Sequence, residues 1–521
     1  MSLHPHAEAG DSLPSGAAAG PEPLAAALRL FRAFDAARVR HCHFKSNEHL
    51  LDGLAGLTDL DVLVDRSQAR AVQGVLHAVG YKRFASWFSA AYPAVEDYLG
   101  FDAEAGRLVH LHLHYALVVG EKNLKGHHLA SAPNVLDARV ADADTGVAIC
   151  DPDHEMQLLL LRFALKLRWR DSLYALLGRS FFRGGALREF RWLQSRIDRA
   201  RLRRITAEEY GAKAGDLVVG LADAPPSIRR LHALRRAARP TLARARTFGR
   251  LEAIPIRVAR ELHALVAAFC RRKLGIARPL RRTNPTGGRI VAFLGPDGCG
   301  KSTLTREIRE WLSWKLDVHS VYFGSGDGPS IWYVWVMKLP LRVVRRTRRL
   351  LGREVAPVPG ATRGEEAARA AARPSMAKAF WALALALEKN SKMGAAVAAR
   401  NRGMVVVCDR YPQVQVMGYN DGPLLAPWLE SPSRLRRWIA RFEHTFYARA
   451  AAAAPDLVVK LDVSPEVALR RKPGTRFEVE RRRAALRQIE YGPGSESLVI
   501  DASRPLDVVR LEVKRAIWDR L

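Results

Sequence analysis

Apolar positions along the chain follow different rhythms in its successive parts. Up to about Cys150, helix-like and strand-like segments alternate. Leu60, Val62 and Val64 alternate with Asp59, Asp61 and Leu63, which predicts a strand carrying two acids on one face. A second strand is expected from Val109 to Leu117. From Asp151 to about Leu280 the reading is helical. Met156 to Leu167 is strongly apolar, and Arg-rich amphipathic stretches follow, broken by Pro240, Pro255 and Pro279. Thr283-Asn284-Pro285-Thr286-Gly287-Gly288 then forms a loop. Beyond it, strand candidates at Ile290–Leu294, Val405–Cys408, Leu457–Val463 and Leu498–Ile500 are separated by helical stretches. That rhythm predicts a doubly wound α/β unit with a mostly parallel sheet. The expected division is a flexible tail over 1–20, an α+β domain over 21–150, a helical basic region and linker over 151–287, and a parallel α/β domain over 288–521.

Composition adds one unusual fact. The chain has 521 residues, of which 48% are hydrophobic, so it can bury a large core. Its 83 Lys+Arg against 53 Asp+Glu leave a net charge of +30, which points to an anionic partner: nucleotide, nucleic acid, membrane surface or acidic polymer. The basic segment from Ser227 to Arg282 is expected to make salt-sensitive contact with such a surface. Ile331 to Leu341, apolar with two Trp and leading into Arg342-Val-Val-Arg-Arg-Thr-Arg-Arg, reads as an insertion that packs on the N-terminal half or lies at a membrane interface. Five scattered cysteines without a CxxC pair argue against a disulfide framework or a structural zinc site. The first residues lack the basic start and apolar run of a signal peptide, and no apolar stretch approaches the ~20 residues of a membrane span. A cytoplasmic protein, at most peripheral to a membrane, is expected. Oligomeric state is not legible.

The sharpest chemical signal is Gly295-Pro296-Asp297-Gly298-Cys299-Gly300-Lys301-Ser302-Thr303. A strand feeds it and an apolar-periodic helix follows, so the wording and the context of a phosphate-binding P-loop coincide. Its glycines let backbone N–H groups curl around phosphate oxygens, and the helix N-terminus adds a favourable dipole. Lys301 would reach the β and γ phosphates of ATP, and the Ser302 hydroxyl would hold Mg²⁺. Downstream, Val405 to Cys408 is a buried strand ending in Asp409-Arg410-Tyr411. Pro455-Asp456-Leu457 leads to Leu461-Asp462-Val463-Ser464-Pro465-Glu466-Val467-Ala468, and Ile500-Asp501-Ala502-Ser503 closes the pattern.

In that wording and order, residues 289–521 resemble the thymidylate kinase family of nucleoside monophosphate kinases. The resemblance implies that Asp297 faces the acceptor and that Asp409 and Arg410 sit by the metal and the acceptor phosphate. It also implies a mobile basic lid within 471–491, with Arg476, Arg481 and Arg482 as candidates. The chain departs from the family where a substrate-binding Arg-Glu-Pro-Gly-Gly is usual, carrying Tyr322-Phe-Gly-Ser-Gly-Asp-Gly328 instead. Only Lys389 stands near the family's basic residue before the Asp-Arg pair, and Tyr419-Asn420 is the nearest match to its Tyr-Gln. The phosphate machinery is therefore whole and the acceptor pocket altered.

In the N-terminal part, Phe44-Lys45-Ser46-Asn47 precedes Asp59-Leu60-Asp61, a pattern that resembles the nucleotidyltransferase fold. Two carboxylates at i and i+2 share a strand face and suit a hard cation such as Mg²⁺. Where that fold places a third acid, this chain has His112, flanked by His110 and His114 on the same face. Weak binding of a nucleotide–metal complex with poor transfer is expected there. The expected activity of the whole is ATP- and Mg²⁺-dependent phosphoryl transfer to a nucleoside monophosphate. The alternatives are a kinase for another small acceptor such as a sugar phosphate, and a non-catalytic ATP-sensing module.

Overall fold

The computed structural model describes residues 21–121, 123–167, 184–224, 227–324, 376–417 and 422–521. The expected tail, the apolar insertion at 331–341 with its basic continuation, Tyr419-Asn420 and residues 325–328 lie outside the described residues. The chain is mixed α/β and builds two large sheets.

Fifteen strands are described: β1 (His41–His43), β2 (Asp59–Val64), β3 (Lys82–Ser86), β4 (Val95–Asp102), β5 (Arg107–His114), β6 (Leu117–Val119), β7 (His127–Leu129), β8 (Val140–Ala141), β9 (Ala148–Ile149), β10 (Arg282–Thr283), β11 (Ile290–Leu294), β12 (Val318–Tyr322), β13 (Val405–Asp409), β14 (Leu457–Asp462) and β15 (Glu496–Asp501). The first sheet runs β10-β3-β4-β5-β2-β1-β9-β8. Its centre, β2 beside β5, is parallel, with Asp59 opposite His110 and Asp61 opposite His112. The segment Val109 to Leu117 does not continue as one strand. It leaves the sheet after His114, and Leu117–Val119 pairs separately with β7. Leu60, Val62, Val64, Val109, Leu111 and Leu113 bury one face under the helices Ala25–Ala36 and Ala69–Ala78. Period-two alternation therefore delivers Asp59, Asp61 and the three histidines to the opposite face.

The second sheet is all parallel, in the order β12-β13-β11-β14-β15. Val291 and Phe293 of β11 pack under the helices Lys301–Ser313 and Leu506–Arg520, while Ile290, Ala292 and Leu294 face the helices Met376–Asn401 and Arg476–Gln488. Burial on both faces explains why the three inner strands, β13, β11 and β14, read as continuous apolar runs. β11 is central. The chain leaves it towards β12 and β13 on one side and later returns to β14 on the other. Such a switch point opens a crevice at the carboxyl ends of the strands.

The cores cross the divisions drawn from sequence. Phe84, Leu99 and Leu108 of the first sheet share a cluster with Val291, Leu304 and Trp518 of the second half. Cys42, Phe44 and Leu63 share another with residues of the helices Pro152–Lys166, Gly185–Gln194, Arg199–Tyr210, Ala212–Ala222 and Ile228–Ala237. Arg282–Thr283, within the linker, becomes an edge strand of the first sheet by pairing with β3. All five cysteines are free and buried. No helix among the described residues is long and apolar enough to cross a membrane.

Candidate functional site

The Gly-rich loop follows the carboxyl end of β11. Gly298 and Gly300 take φ of +81° and +90°, in the left-handed region that disfavours side chains. A Cβ on Gly298 would also lie 2.6 Å from the Ala468 carbonyl oxygen, so the loop admits no larger residue there. The helix Lys301–Ser313 starts at the next residue. Lys301 is buried, and its Nζ donates to the carbonyl oxygens of Gly295 and Pro296, each at 2.8 Å. Cys299 is buried with its Sγ 3.5 Å from the same ammonium group. Thr303 follows in the first turn of the helix.

At the end of the neighbouring β13, Asp409 Oδ2 accepts a 2.9 Å hydrogen bond from the Ser302 hydroxyl. Its other oxygen, Oδ1, is buried and has no hydrogen-bond partner among the described residues. A buried carboxylate oxygen without a partner is costly in a folded protein, and a cation is the natural complement. One hydroxyl and one carboxylate beside the Gly-rich loop are an oxygen pair that suits Mg²⁺, which takes few protein oxygens and keeps other ligands such as water.

Arg410 follows with a positive φ of 69°, a strained backbone for a side chain of its size. That conformation aims the guanidinium at Asp297, 3.3 Å away. Lys472 and Arg482 reach the same carboxylate at 3.1 and 3.0 Å. Burial alone would raise the Asp297 pKa, but Arg482, Lys472 and Lys301 outweigh it and bring the group down to about 2. Arg482 thus joins the loop. Arg476 instead pairs with Glu466 and Glu480 along the surface, and Arg481 is exposed. Lys389 is buried in the helix Met376–Asn401 with its Nζ 3.3 Å from the Tyr447 hydroxyl. Lys472 was legible only as the end of a basic run; its reach to Asp297 depends on the turn between two short helices.

The second candidate face lies on the first sheet. Asp59 Oδ1 meets His110 Nδ1 at 2.8 Å and is also paired with Lys315. Asp61 Oδ1 meets Lys45 Nζ at 2.6 Å, His112 Nδ1 at 3.0 Å and His114 Nε2 at 3.4 Å. Burial pushes both carboxyls up, and these cationic and hydrogen-bonding neighbours hold them below the usual carboxylate range. A third carboxylate is present after all, on β4. Asp97 Oδ1 lies 2.9 Å from His110 Nε2 and 2.7 Å from Arg282 Nε. The sequence pattern missed it because β4 lacks an apolar–polar alternation that would mark its face. Burial lowers the pKa of His112, and drives that of His114 down to about 3 against the pull of Asp61.

No family model matches the chain. Two curated proteins of Escherichia coli strain K12 are similar to it. One is the uncharacterized ATP-binding protein YghR, 27% identical over 237 residues, which are 44% of this chain and 86% of the relative. The other is the uncharacterized ATP-binding protein YghS, 26% identical over 235 residues, 45% of this chain and 94% of the relative. Both likenesses span most of the relative and less than half of this chain.

Proposed function

We propose that the second half of the chain binds ATP with Mg²⁺ at the loop from Gly295 to Thr303 and transfers the γ-phosphoryl group to a nucleoside monophosphate. The observation that carries this reading is the Ser302–Asp409 pair, with its partnerless buried oxygen, set against a Gly-rich loop at the switch point of a parallel sheet. The two relatives' descriptions as ATP-binding proteins support the nucleotide. The thymidylate kinase-like wording of residues 289–521 supports the reaction.

In this reading an acceptor phosphate oxygen attacks the γ-phosphorus as the bond to the β–γ bridging oxygen breaks, and ADP leaves. The acceptor oxygen is already ionised, so no general base is needed. Lys301 leaves its carbonyl partners to meet the β and γ phosphates. Arg410 and Arg482 stand within reach of charge on the transferred group, and Asp297 holds them in place until substrate arrives. Mg²⁺, held by Ser302 and Asp409, would neutralise phosphate charge. Lid closure over the loop would add Arg476 and Arg481.

A second reading, ATP sensing without turnover, is favoured by one contact. The helix that begins at Lys301 ends at Ser313, and Lys315 just beyond it is paired with Asp59 of the first sheet. This ion pair joins the end of the helix that follows the loop to the N-terminal face. Mg²⁺ on that face would have to displace Lys45 and Lys315 from Asp61 and Asp59, so we assign it no metal-dependent step. The test is incubation with γ-labelled ATP and Mg²⁺ across a panel of nucleoside monophosphates and sugar phosphates. Label on a nucleoside monophosphate is expected. Label on a sugar phosphate would reassign the acceptor, and tight ATP binding without label in any acceptor would favour sensing.

A further inference from the structure

The helix Arg250–Phe269 is turned inside out. Arg257, Arg260, Glu261 and His263 face the protein. Arg260 is buried and donates to the Ala91 carbonyl oxygen at 2.9 Å and to that of Asn123 at 3.2 Å, with its guanidinium over the rings of Phe88 and Tyr92. Arg257 donates to Glu121 at 3.0 Å, and Glu261 accepts from the Asn123 amide at 3.1 Å. His263 Nε2 accepts the Trp87 indole N–H at 2.7 Å. Meanwhile Leu251, Ile254, Val258, Leu262, Leu265 and Phe269, spaced by three or four residues, are each more than half exposed. They form one stripe along the helix, the reverse of the usual order in which the apolar stripe faces the core. Such a contiguous exposed apolar surface marks a place of contact.

We propose that this helix docks in the plane of a bilayer bearing anionic lipids, with the stripe sunk among the acyl chains. Charge selects that occupant. Between Ser227 and Arg282 the sequence carries 16 Lys+Arg and two acids, Glu252 and Glu261. Glu261 is engaged with Asn123. Arg272, Lys273 and Arg278, just beyond the stripe, are exposed. A second copy of this face would bring like charges together, whereas anionic headgroups neutralise them. Nucleic acid would satisfy the cations and leave the six apolar side chains in water. An apolar face flanked by cations is the pattern of a helix that lies in the interface rather than crossing it. The proposal is independent of the reaction at the Gly-rich loop.

The test is co-sedimentation of the full chain with vesicles of phosphatidylcholine alone or with about 30% phosphatidylglycerol, at low salt and at about 0.5 M salt. Binding to the anionic vesicles, weakened by salt, is expected. The double substitution Leu262→Asp and Phe269→Asp is expected to lower the bound fraction about tenfold without moving the melting temperature. Leu251→Asp, at the most exposed position of the stripe, gives a second reading if the double variant folds poorly. Arg272→Glu with Lys273→Glu is expected to remove most of the salt dependence. Binding by the stripe variants equal to that of the parent overturns the proposal. So does absence of binding at low salt, a dimer abolished by the same substitutions with no vesicle binding, or association with duplex DNA alone.

Discussion

The two polar sites of the molecule solve opposite problems with similar residues. At the Gly-rich loop, the strand β13 delivers Asp409 with one oxygen bonded to Ser302 and the other without a hydrogen-bond partner among the described residues. Lys301 Nζ rests on the carbonyl oxygens of Gly295 and Pro296 and near Cys299 Sγ, neutral partners that a phosphate can replace. On the first sheet, Asp59, Asp61 and Asp97 are closed by Lys315, Lys45, Arg282 and the histidines between them. An acid that keeps unmet capacity is arranged for a ligand. Asp59 and Asp61 are partly buried and Asp97 is buried, and neighbouring cations already match their charge. An Asp-x-Asp pattern states where carboxylates stand; the neighbours contributed by distant segments set how much of their charge is left unmet.

The largest effect expected from this contrast falls on catalysis. Lys301→Ala should lower phosphoryl transfer roughly 100- to 1000-fold with little change in melting temperature, because the lost group stabilises charge that develops in the transition state. Steady-state kinetics beside a thermal melt measure both. The same truncation on the other site should reverse the pattern. Arg282→Ala leaves Asp97, which is only 4% exposed, short of its guanidinium partner, and should cost about 3 kcal/mol of stability with the rate per folded molecule unchanged. Chemical denaturation measures that loss, and a fall in turnover with full stability would break the comparison.

A third effect is a pH dependence. The Asp297 carboxyl is held at about 2, below its ordinary value near 3.8, by Arg482, Lys472 and Lys301 against its burial. A depressed folded pKa contributes stability that is present in full above about pH 4 and is lost as pH falls from there through about 2. Asp297→Asn should flatten that part of the stability profile, and a variant whose acid profile matched the parent's would contradict the assignment. The smallest expected effect is on transfer when Asp61→Asn is made. It should leave γ-phosphoryl transfer within about twofold, since it touches Lys45 and the histidines and not the loop.

Much of the fold was legible. The four strands expected in the second half are β11, β13, β14 and β15; the first three, buried on both faces, announce themselves as apolar runs, and β15, largely exposed, by its short Leu498–Ile500 run. β12 escaped, since His319 and Ser320 interrupt its run. In the first half β2 was legible from its alternation, while β1, β8, β9 and β10 are two or three residues long and carry no periodic signal. The loop, Asp409 and Arg410 could be named from local wording. Asp97, Arg282 and Lys315 could not. Their meeting with Asp59 and His110 depends on a linker strand and a helix end brought from the other half of the chain.

The most direct test of the contrast labels ATP at both ends. The full chain, with Mg²⁺ and the acceptor panel, is given α-labelled and γ-labelled ATP in parallel. The account predicts that γ label moves to a nucleoside monophosphate, that Lys301→Ala slows the movement roughly 100-fold or more, that Asp61→Asn preserves it, and that α label is not transferred to an acceptor. Transfer of α label lost on Asp61→Asn, or γ transfer undiminished by Lys301→Ala, would contradict it.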